Sequence, residues 1–329
     1  MTALRLLAAA VCLGPLVAAG CGDDGASSAA GGRGMTVVAT TTQAADLARA
    51  VAGDRAEVVG LIPANADPHD YEVRPADVKA LADADVVLRS GGDLDDWLAE
   101  AIDSSGTGAR ELVLIDGVDT ISGEEEEIDP HWWQDPRNAR KAVAAIEAEL
   151  TAADAGGSAT YARNAEDYTS RLTALDGAVA DCLDQIPAAQ RKLVTTHDAL
   201  GYYAKRYGLE VVGAVIPSLS TLAQASAGEV DELVETIERE QVRAIFAESS
   251  VNPKLEEVVA DQAGARIGKA LWADTLGPEG SGGDTYLKSI AANTRAIADG
   301  LSGGAVGCTL PDRALRASRS PRPRRRPRS

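Results

Sequence analysis

The residues of this 329-residue chain that are best suited to chemistry are its three histidines, His69, His131 and His197. A neutral imidazole offers a nitrogen lone pair, and it is a good ligand for zinc, copper, iron and nickel. His69 and His131 both follow an Asp-Pro pair, in which the proline stiffens the chain directly before the histidine. Each of the three lies in a short polar segment at or after the end of a predicted β-strand. Because ligands of α/β proteins gather outside the carboxyl ends of the strands, we expect the three side chains to share one cleft.

A fourth polar group, Asp274, follows the last predicted strand, so two of the four groups come from each half of the chain. Three imidazoles and one carboxylate form a tetrahedral ligand set that suits Zn²⁺. Taken singly, a histidine is more often a packed or surface side chain, and aspartate is common in loops. A repeated Asp-Pro-His at strand ends is hard to explain by packing, so the joint pattern favours a metal site. Asp67 and Asp129, which precede the two prolines, are expected either to accept from a loop N–H or to orient an imidazole.

The elements that must position these groups alternate between short β-rich runs and helical patterns, which is typical of βαβ units. We predict an α/β fold of two lobes, each with a four-stranded, mostly parallel sheet flanked by helices, joined by one long rigid helix. The strands are expected at residues 36–41, 56–62, 84–89 and 111–115, and at 192–196, 209–216, 242–247 and 266–272. Between the two sets, apolar residues recur at steps of three and four from Tyr161 to Ile186. That stripe predicts a helix of about 26 residues, about 39 Å long.

The N-terminus carries an export pattern, with a single Arg5 followed by a short apolar stretch. The segment that ends at Cys21 resembles a bacterial lipobox, and a Gly/Ser-rich tether follows it directly, so we expect lipid on Cys21. An ordinary cleaved signal with an incidental cysteine is the alternative. We predict a signal peptide over 1–20, a tether over 21–34, lobes over 35–157 and 187–305, a linking helix over 158–186 and a disordered Arg/Pro-rich tail over 306–329. The protein would then be extracytoplasmic, lipid-anchored to the cell membrane or periplasmic.

The charge distribution argues against a nucleic-acid partner, because binding nucleic acid needs a basic face. The formal net charge of -18 is the sum of -26 on residues 21–311, +7 on residues 312–329 and +1 on the first twenty residues. Cysteine usage fits an exported protein. With Cys12 in the signal and Cys21 at the anchor, Cys182 and Cys308 remain as a pair that can form a disulfide, two unpaired thiols being the alternative.

Several segments together resemble the cluster A-I (TroA/ZnuA-like) solute-binding lipoproteins of zinc and manganese ABC transporters. The matching segments are Asp-Pro-His-Asp-Tyr-Glu around His69, Asp-Pro-His-Trp-Trp-Gln-Asp-Pro around His131, Thr-His-Asp-Ala-Leu-Gly-Tyr around His197, Phe246-Ala-Glu248, Asp274-Thr-Leu-Gly, and Thr285-Tyr286 with Asn293. The resemblance covers residues 35–303 and implies two α/β lobes with the metal between them. It implies metal ligands at His69, His131, His197 and Asp274, with Glu248 as an acid behind them.

The resemblance implies a receptor that delivers zinc to a membrane permease, with manganese as the alternative metal. In manganese-type members a glutamate often replaces the third histidine, so His197 favours zinc. We expect a monomer and, as a further partner, a metallochaperone. Many zinc members carry a His-rich loop where this chain has Glu124–Glu127. That acidic run either attracts cations to the site or is a solvated turn.

Two other classes of function stay open from the residues alone. A secreted metallohydrolase would use the same cluster, with Asp274 moving away and Glu248 acting as a general base. Against it, the sequence has no His-Glu-x-x-His and no nucleophile-elbow motif. A purely structural or adhesive lipoprotein is the third interpretation.

Overall fold

The structure, a computed structural model, describes residues 34–123 and 127–315. The predicted signal peptide, Cys21 and nearly all of the tether lie outside the described residues. So do residues 124–126 of the acidic run and residues 316–329 of the tail. Within the described ranges, no helix combines the length and the hydropathy needed to cross a bilayer.

The first lobe is built on four parallel strands in the order β2-β1-β3-β4. The strands are β1 (Met35–Ala39), β2 (Ala56–Gly60), β3 (Val86–Arg89) and β4 (Arg110–Val113). The helices of this lobe are α1 (Thr42–Ala52), α2 (Pro75–Ala82), α3 (Trp97–Ser105) and α4 (Pro136–Ala153). Val37 packs in one core with α1 and α4, and Val38 packs in a second core with α2 and α3. Because helices cover both faces of the sheet, β1 is a continuous apolar run.

One long helix, α5 (Ser158–Leu183), follows the first lobe. Its buried stripe repeats the predicted spacing from Tyr161 to Leu183, and the helix ends three residues before Ile186, which is itself buried. The helix packs on α1 and α4 on one side of the molecule. It also contacts two later helices, α6 (Gly201–Tyr207) and α9 (Tyr286–Ser302). The prediction of one long connecting helix is confirmed.

The second lobe repeats the strand order of the first. Its strands are β5 (Lys192–Thr195), β6 (Glu210–Ala214), β7 (Ala244–Ile245) and β8 (Arg266–Ile267), and its further helices are α7 (Ala227–Glu240) and α8 (Lys254–Ala263). Parallel ladders join β5 to β6 and β7 to β8, and a single parallel bridge between Thr195 and Phe246 connects the two pairs. The order is therefore β6-β5-β7-β8, and the predicted α/β fold with parallel sheets is confirmed.

Regular pairing in the second lobe is shorter than the predicted four full strands, and Phe246 supplies the physical reason. The backbone amide of Gly268 donates to Ile245, and the amide of Leu271 donates to Ala247. Three residues on one strand therefore face two on the other, which is a bulge. A Cβ atom at Gly268 would lie 2.5 Å from the Phe246 ring, so the strand passes the ring only because residue 268 is glycine.

The segment after α9 is better ordered than its composition suggested. Cys308 is disulfide-bonded to Cys182 near the end of α5, with the two Cα atoms 5.3 Å apart. Leu310 and Ala314 are buried, and Arg171 of α5 donates from its Nε to the carbonyl of Ala314. A last short helix, α10 (Asp312–Leu315), also packs on α5. The described part of the predicted tail therefore covers the connecting helix.

Candidate metal centre

The structure brings His69, His131, His197 and Asp274 together in one cluster. One nitrogen or carboxylate oxygen from each lies within 4.8 Å of the others. The side chains of His131, His197 and Asp274 are fully buried, and that of His69 is 7% exposed. The cluster is therefore closed to bulk water apart from the His69 edge.

Several atoms of the cluster lie close enough together to share one cation. The Nε2 atoms of His69 and His197 lie 3.3 and 3.2 Å from Oδ2 of Asp274. The Nε2 atom of His131 lies 3.4 Å from Oδ1 of Asp274 and 3.3 Å from Nε2 of His197. Zinc bonds of about 2.0–2.1 Å arranged as a tetrahedron put neighbouring ligand atoms about 3.3–3.4 Å apart. The four printed spacings are therefore compatible with such bonds, and all the ligand atoms lie within 4.8 Å of one another.

The four groups lie beyond the carboxyl ends of the strands, as their positions in the sequence predicted. His69 follows β2, and His197 comes two residues after β5. Asp274 follows the bridge that Leu271 makes with Glu248 beyond β8. His131 lies in the connection between β4 and α4, and Asp135 caps that helix with its side chain.

The two acids of the Asp-Pro-His segments have different roles. Oδ1 of Asp129 accepts from both the backbone N–H and the Nδ1–H of His131, each at 2.8 Å. Asp67 accepts the backbone N–H of His69 at 2.9 Å and the hydroxyl of Thr221 at 2.7 Å. Asp129 therefore orients an imidazole, whereas Asp67 fixes a loop.

Glu248 lies behind His197, the position that the resemblance implied. Its Oε1 accepts from Nδ1 of His197 at 2.5 Å, and the side chain is almost fully buried. A carboxylate on Nδ1 selects the tautomer whose Nε2 carries a lone pair. In both His131 and His197 the free Nε2 consequently faces Asp274.

Burial and neighbouring charges shift the pKa values of three side chains of the cluster. Burial alone would lower the pKa of His131, but Asp274 and Asp129 outweigh it and raise that pKa above its ordinary value. Burial is likewise outweighed in His197, where Asp274 and Glu248 raise the pKa well above its ordinary value. Burial would raise the pKa of Asp274, yet His197 and His131 hold it well below its usual range. Because these shifts favour the charged form of His131 and His197, protons compete with a metal for the same nitrogen atoms.

Three buried polar atoms of the cluster lack hydrogen-bond partners. Nε2 of His69 and both carboxylate oxygens of Asp274 are buried and accept or donate no hydrogen bond of acceptable geometry. Leaving a buried charged group without such a partner costs free energy, so groups of this kind are paired or coordinate a metal. The donor set and the unpartnered atoms both fit a bound cation.

The loop that carries Asp274 is held mainly by the first lobe. The carbonyl of Ala273 accepts from Nε1 of Trp133 at 2.9 Å and from Nε2 of Gln134 at 2.7 Å. The amide of Leu276 donates to the Thr42 hydroxyl at 2.8 Å. By its position in the sequence Asp274 belongs to the second half of the chain. No local sequence pattern predicts the contacts of its loop with the first half. They connect residues more than a hundred positions apart.

Residues after Asp274 that belong to the family resemblance support the same loop. Asn293 of α9 bonds both backbone groups of Trp272, two residues before Asp274. Thr285 caps α9, and the hydroxyl of Tyr286 donates to the carbonyl of Trp133 at 2.6 Å. These residues of the resemblance therefore position the site without entering it.

The known proteins that are similar to this chain are named for zinc or for manganese. A model of the family described as zinc-uptake complex component A, periplasmic, matches residues 37–300. The manganese-binding lipoprotein MntA of Halalkalibacterium halodurans is 31% identical over 289 residues, which are 87% of this chain and 95% of that protein. The manganese ABC transporter substrate-binding lipoprotein PsaA of Streptococcus mitis is 30% identical over 288 residues, 84% of this chain and 93% of that one. The solved structure of the periplasmic zinc binding protein TroA from Treponema pallidum has a TM-score of 0.78 at 30% identity, covering 82% of this chain and 99% of its own.

Proposed function

Because the chain belongs to the family of periplasmic zinc-uptake complex component A proteins, we propose that it captures Zn²⁺ outside the cytoplasm and delivers it to the permease of an ABC transporter. Its family and its relatives identify the chain as a metal ABC transporter substrate-binding protein, without specifying the metal. The observation that carries the proposal is the buried cluster of His69, His131, His197 and Asp274, whose spacing and unpartnered atoms fit one cation.

Zinc is preferred over manganese for two physical reasons. Manganese favours oxygen ligands in octahedral sites, whereas this cluster offers three imidazole nitrogens and one carboxylate. Divalent zinc also binds nitrogen ligands more tightly than divalent manganese does.

Manganese is the second candidate, because MntA and PsaA are both named for that metal. The two relatives cover more than four fifths of this chain. Selection between the two ions then depends on how rigidly the cluster resists adding a fifth and a sixth ligand.

A receptor fits the site better than a metallohydrolase does. Catalytic zinc keeps one position for water, whereas a closed site fills its positions with protein groups. Here four protein groups can each offer a ligand atom to one ion, and three of their side chains are fully buried. A substrate would reach the ion only after one ligand had moved.

Location and partners belong to the same proposal. MntA and PsaA are named lipoproteins, which supports a lipid anchor at Cys21 and a position outside the cytoplasm. A permease is the proposed partner because the chain belongs to a family of uptake-complex components and resembles an ABC transporter substrate-binding protein. A metallochaperone as metal donor and a monomeric state complete the proposal, and both rest on the resemblance.

The test is a competitive titration of metal-free protein with Zn²⁺ and Mn²⁺, with bound metal measured at equilibrium. We expect one zinc per chain, held more tightly than manganese. Loss of one ligand in H197A or D274N should weaken zinc binding by more than the roughly 100-fold limit of a change behind the ligands. D70N, which alters an exposed carboxylate beside His69, is the control and should bind as the parent does. Parental affinity in H197A would show that the site is wrong, and preference for manganese would reverse the choice of metal.

A further inference from the structure

A chain of buried polar groups lies behind His197, on the side away from the cluster. The hydroxyl of Thr196 donates to Oε1 of Glu256 at 2.5 Å. The same oxygen of Thr196 accepts from the backbone N–H of Glu248 at 3.1 Å. Glu248 in turn holds Nδ1 of His197. The path therefore runs from Glu256 through Thr196 and Glu248 to the imidazole.

The chemistry of a hydroxyl gives this path a direction. Thr196 has one proton to donate, and the carboxylate of Glu256 accepts it. The lone pairs of the Thr196 oxygen are then left for the N–H of Glu248. Without an acceptor at Glu256, the hydroxyl would be free to turn its proton elsewhere. Glu256 therefore fixes the orientation in which Thr196 can hold the Glu248 backbone.

Few backbone bridges join β5 to β7 in this lobe, so the hydrogen bonds of Thr196 contribute to the alignment of these two strands. Between β5 and β7 the only bridge described is that of Thr195 with Phe246. Beyond it, His197 and Glu248 follow two strand ends that no further described bridge joins to each other, although Glu248 also bridges Leu271. The bond from the Glu248 amide to the Thr196 hydroxyl, at 3.1 Å, is one cross-connection, and a longer bond from the His197 amide to Oε1 of Glu248, at 3.3 Å, is another. Glu256, in the first turn of α8, ties the helix to the same point.

Burying the carboxylate of Glu256 lowers the stability of the fold, so a structural role alone does not account for this residue. It is 2% exposed, and its Oε2 atom is buried with no hydrogen-bond partner. A buried carboxylate with an unmade bond is destabilising relative to a well-packed apolar side chain of similar size. The N-terminus of α8 offsets part of that cost, because helix N-termini favour negative charge.

We propose that Thr196 and Glu256 are positioning residues of the metal centre, which hold Glu248 and, through it, the His197 imidazole in the orientation that binds the ion. This inference rests on the proposed function, since it concerns how tightly the same site holds its metal. Neither side chain touches the cluster itself. Their effect is on the alignment of the two strand ends.

The experiment compares T196V and T196S with the parent protein. T196V keeps the shape of the side chain and removes the hydroxyl, whereas T196S keeps the hydroxyl. We expect T196V to bind Zn²⁺ about tenfold more weakly, in the lower range of changes behind metal ligands, and T196S to restore parental affinity. The visible absorption of bound Co²⁺ should shift in T196V and not in T196S, because it reports the geometry of the ligands.

T294V is the matched control for the loss of a buried hydroxyl. Thr294 is also fully buried, and its hydroxyl bonds Tyr203 and the carbonyl of Ile290, away from the cluster. T294V should lower the melting temperature without changing zinc affinity or the cobalt spectrum. Parental affinity and an unchanged spectrum in T196V overturn the proposal, whatever its melting temperature.

A second pair of variants covers the case in which T196V does not fold. E256Q keeps an acceptor oxygen for Thr196 and E256A does not, so zinc affinity should fall in the order parent, E256Q, E256A. Equal affinities in all three overturn the proposal. If the parent itself bound neither Zn²⁺ nor Mn²⁺, the proposed function would fail first and this inference with it. A parent that binds zinc beside an unaffected T196V refutes the positioning role alone.

Discussion

Replacing Asp129 by asparagine tests whether the carboxylate behind His131 controls the metal site. In the parent, one oxygen of Asp129 accepts both the backbone N–H and the Nδ1–H of His131, at 2.8 Å each. Asparagine retains an oxygen for these donors and loses the negative charge. The change therefore removes charge from the pair while keeping its shape.

The expected magnitude follows from those two bonds. Charge-assisted hydrogen bonds are about twice as strong as neutral ones, and changes behind a metal ligand typically cost about 10- to 100-fold in affinity. D129N keeps both bonds in weakened form, so zinc affinity should fall about tenfold, or about 1.4 kcal/mol. D129A removes both bonds, so the loss should approach 100-fold, or about 2.7 kcal/mol.

Asp135 supplies a matched control from the same segment. It is also a buried aspartate that accepts the N–H two residues further on, from Arg137 at 2.8 Å, but it holds no imidazole. D135N keeps a good N-cap side chain and weakens only the ion pair with the half-exposed Arg137, so stability should fall by about 1 kcal/mol or less and zinc affinity should stay unchanged. The assay is competition against a chromophoric chelator at fixed pH and salt, with a melting curve of each metal-free variant. Parental zinc affinity in both D129N and D129A would refute the role assigned to Asp129.

Three further predictions concern protons, the Asp274 loop and the disulfide. Zinc affinity should fall as pH falls, and the fall should begin above the ordinary histidine range, because neighbouring carboxylates raise the pKa values of His131 and His197; a titration series flat between pH 8 and 6 would contradict this. Q134M removes one of two donors to the Ala273 carbonyl and should weaken zinc binding by about 1 kcal/mol, roughly fivefold, in the same competition assay. Replacing Cys182 and Cys308 by serine together should lower the free energy of unfolding by about 2–5 kcal/mol in denaturant titrations, whereas equal stability would argue against the bond.

The sequence predicted those elements whose signals are local. The stripe from Tyr161 repeats on a helix surface, so α5 was visible from spacing alone. The first sheet was visible as apolar runs because β1 is buried on both faces. The shortened β7 and β8 were not visible, since the bulge depends on the Phe246 ring meeting Gly268 after the chain has folded.

The site shows the same division between local and long-range signals. Asp-Pro-His places an acid two residues before an imidazole, so the link from Asp129 to His131 is encoded within three positions. The bond from Gln134 to Ala273 spans 139 positions, and the bond from Thr196 to Glu256 spans 60. Such pairs leave no pattern in one sequence, because neither partner has a fixed spacing from the other. The ligands were therefore predictable, and most of the groups that align them were not.

The way the four candidate ligands are held links metal binding to the relation between the lobes. Asp274 belongs to the second half of the chain, yet Trp133 and Gln134 of the first half hold its loop. His197 is held instead by Glu248 of the second lobe. Zinc in this cluster would therefore link ligands that are held by groups from both halves of the chain.

Direct bonds between the lobes near the cluster are individually weaker than such a metal link. Thr221 donates to Asp67, and Tyr202 donates to the carbonyl of Asp129. Each bond of this kind contributes about 1 kcal/mol, whereas structural zinc sites contribute about 10–16 kcal/mol. Under the proposed function, a permease that stabilised separated lobes would lower zinc affinity by withdrawing His197 from the other ligands. The remaining three ligands would then leave one position open, through which the ion can be passed on.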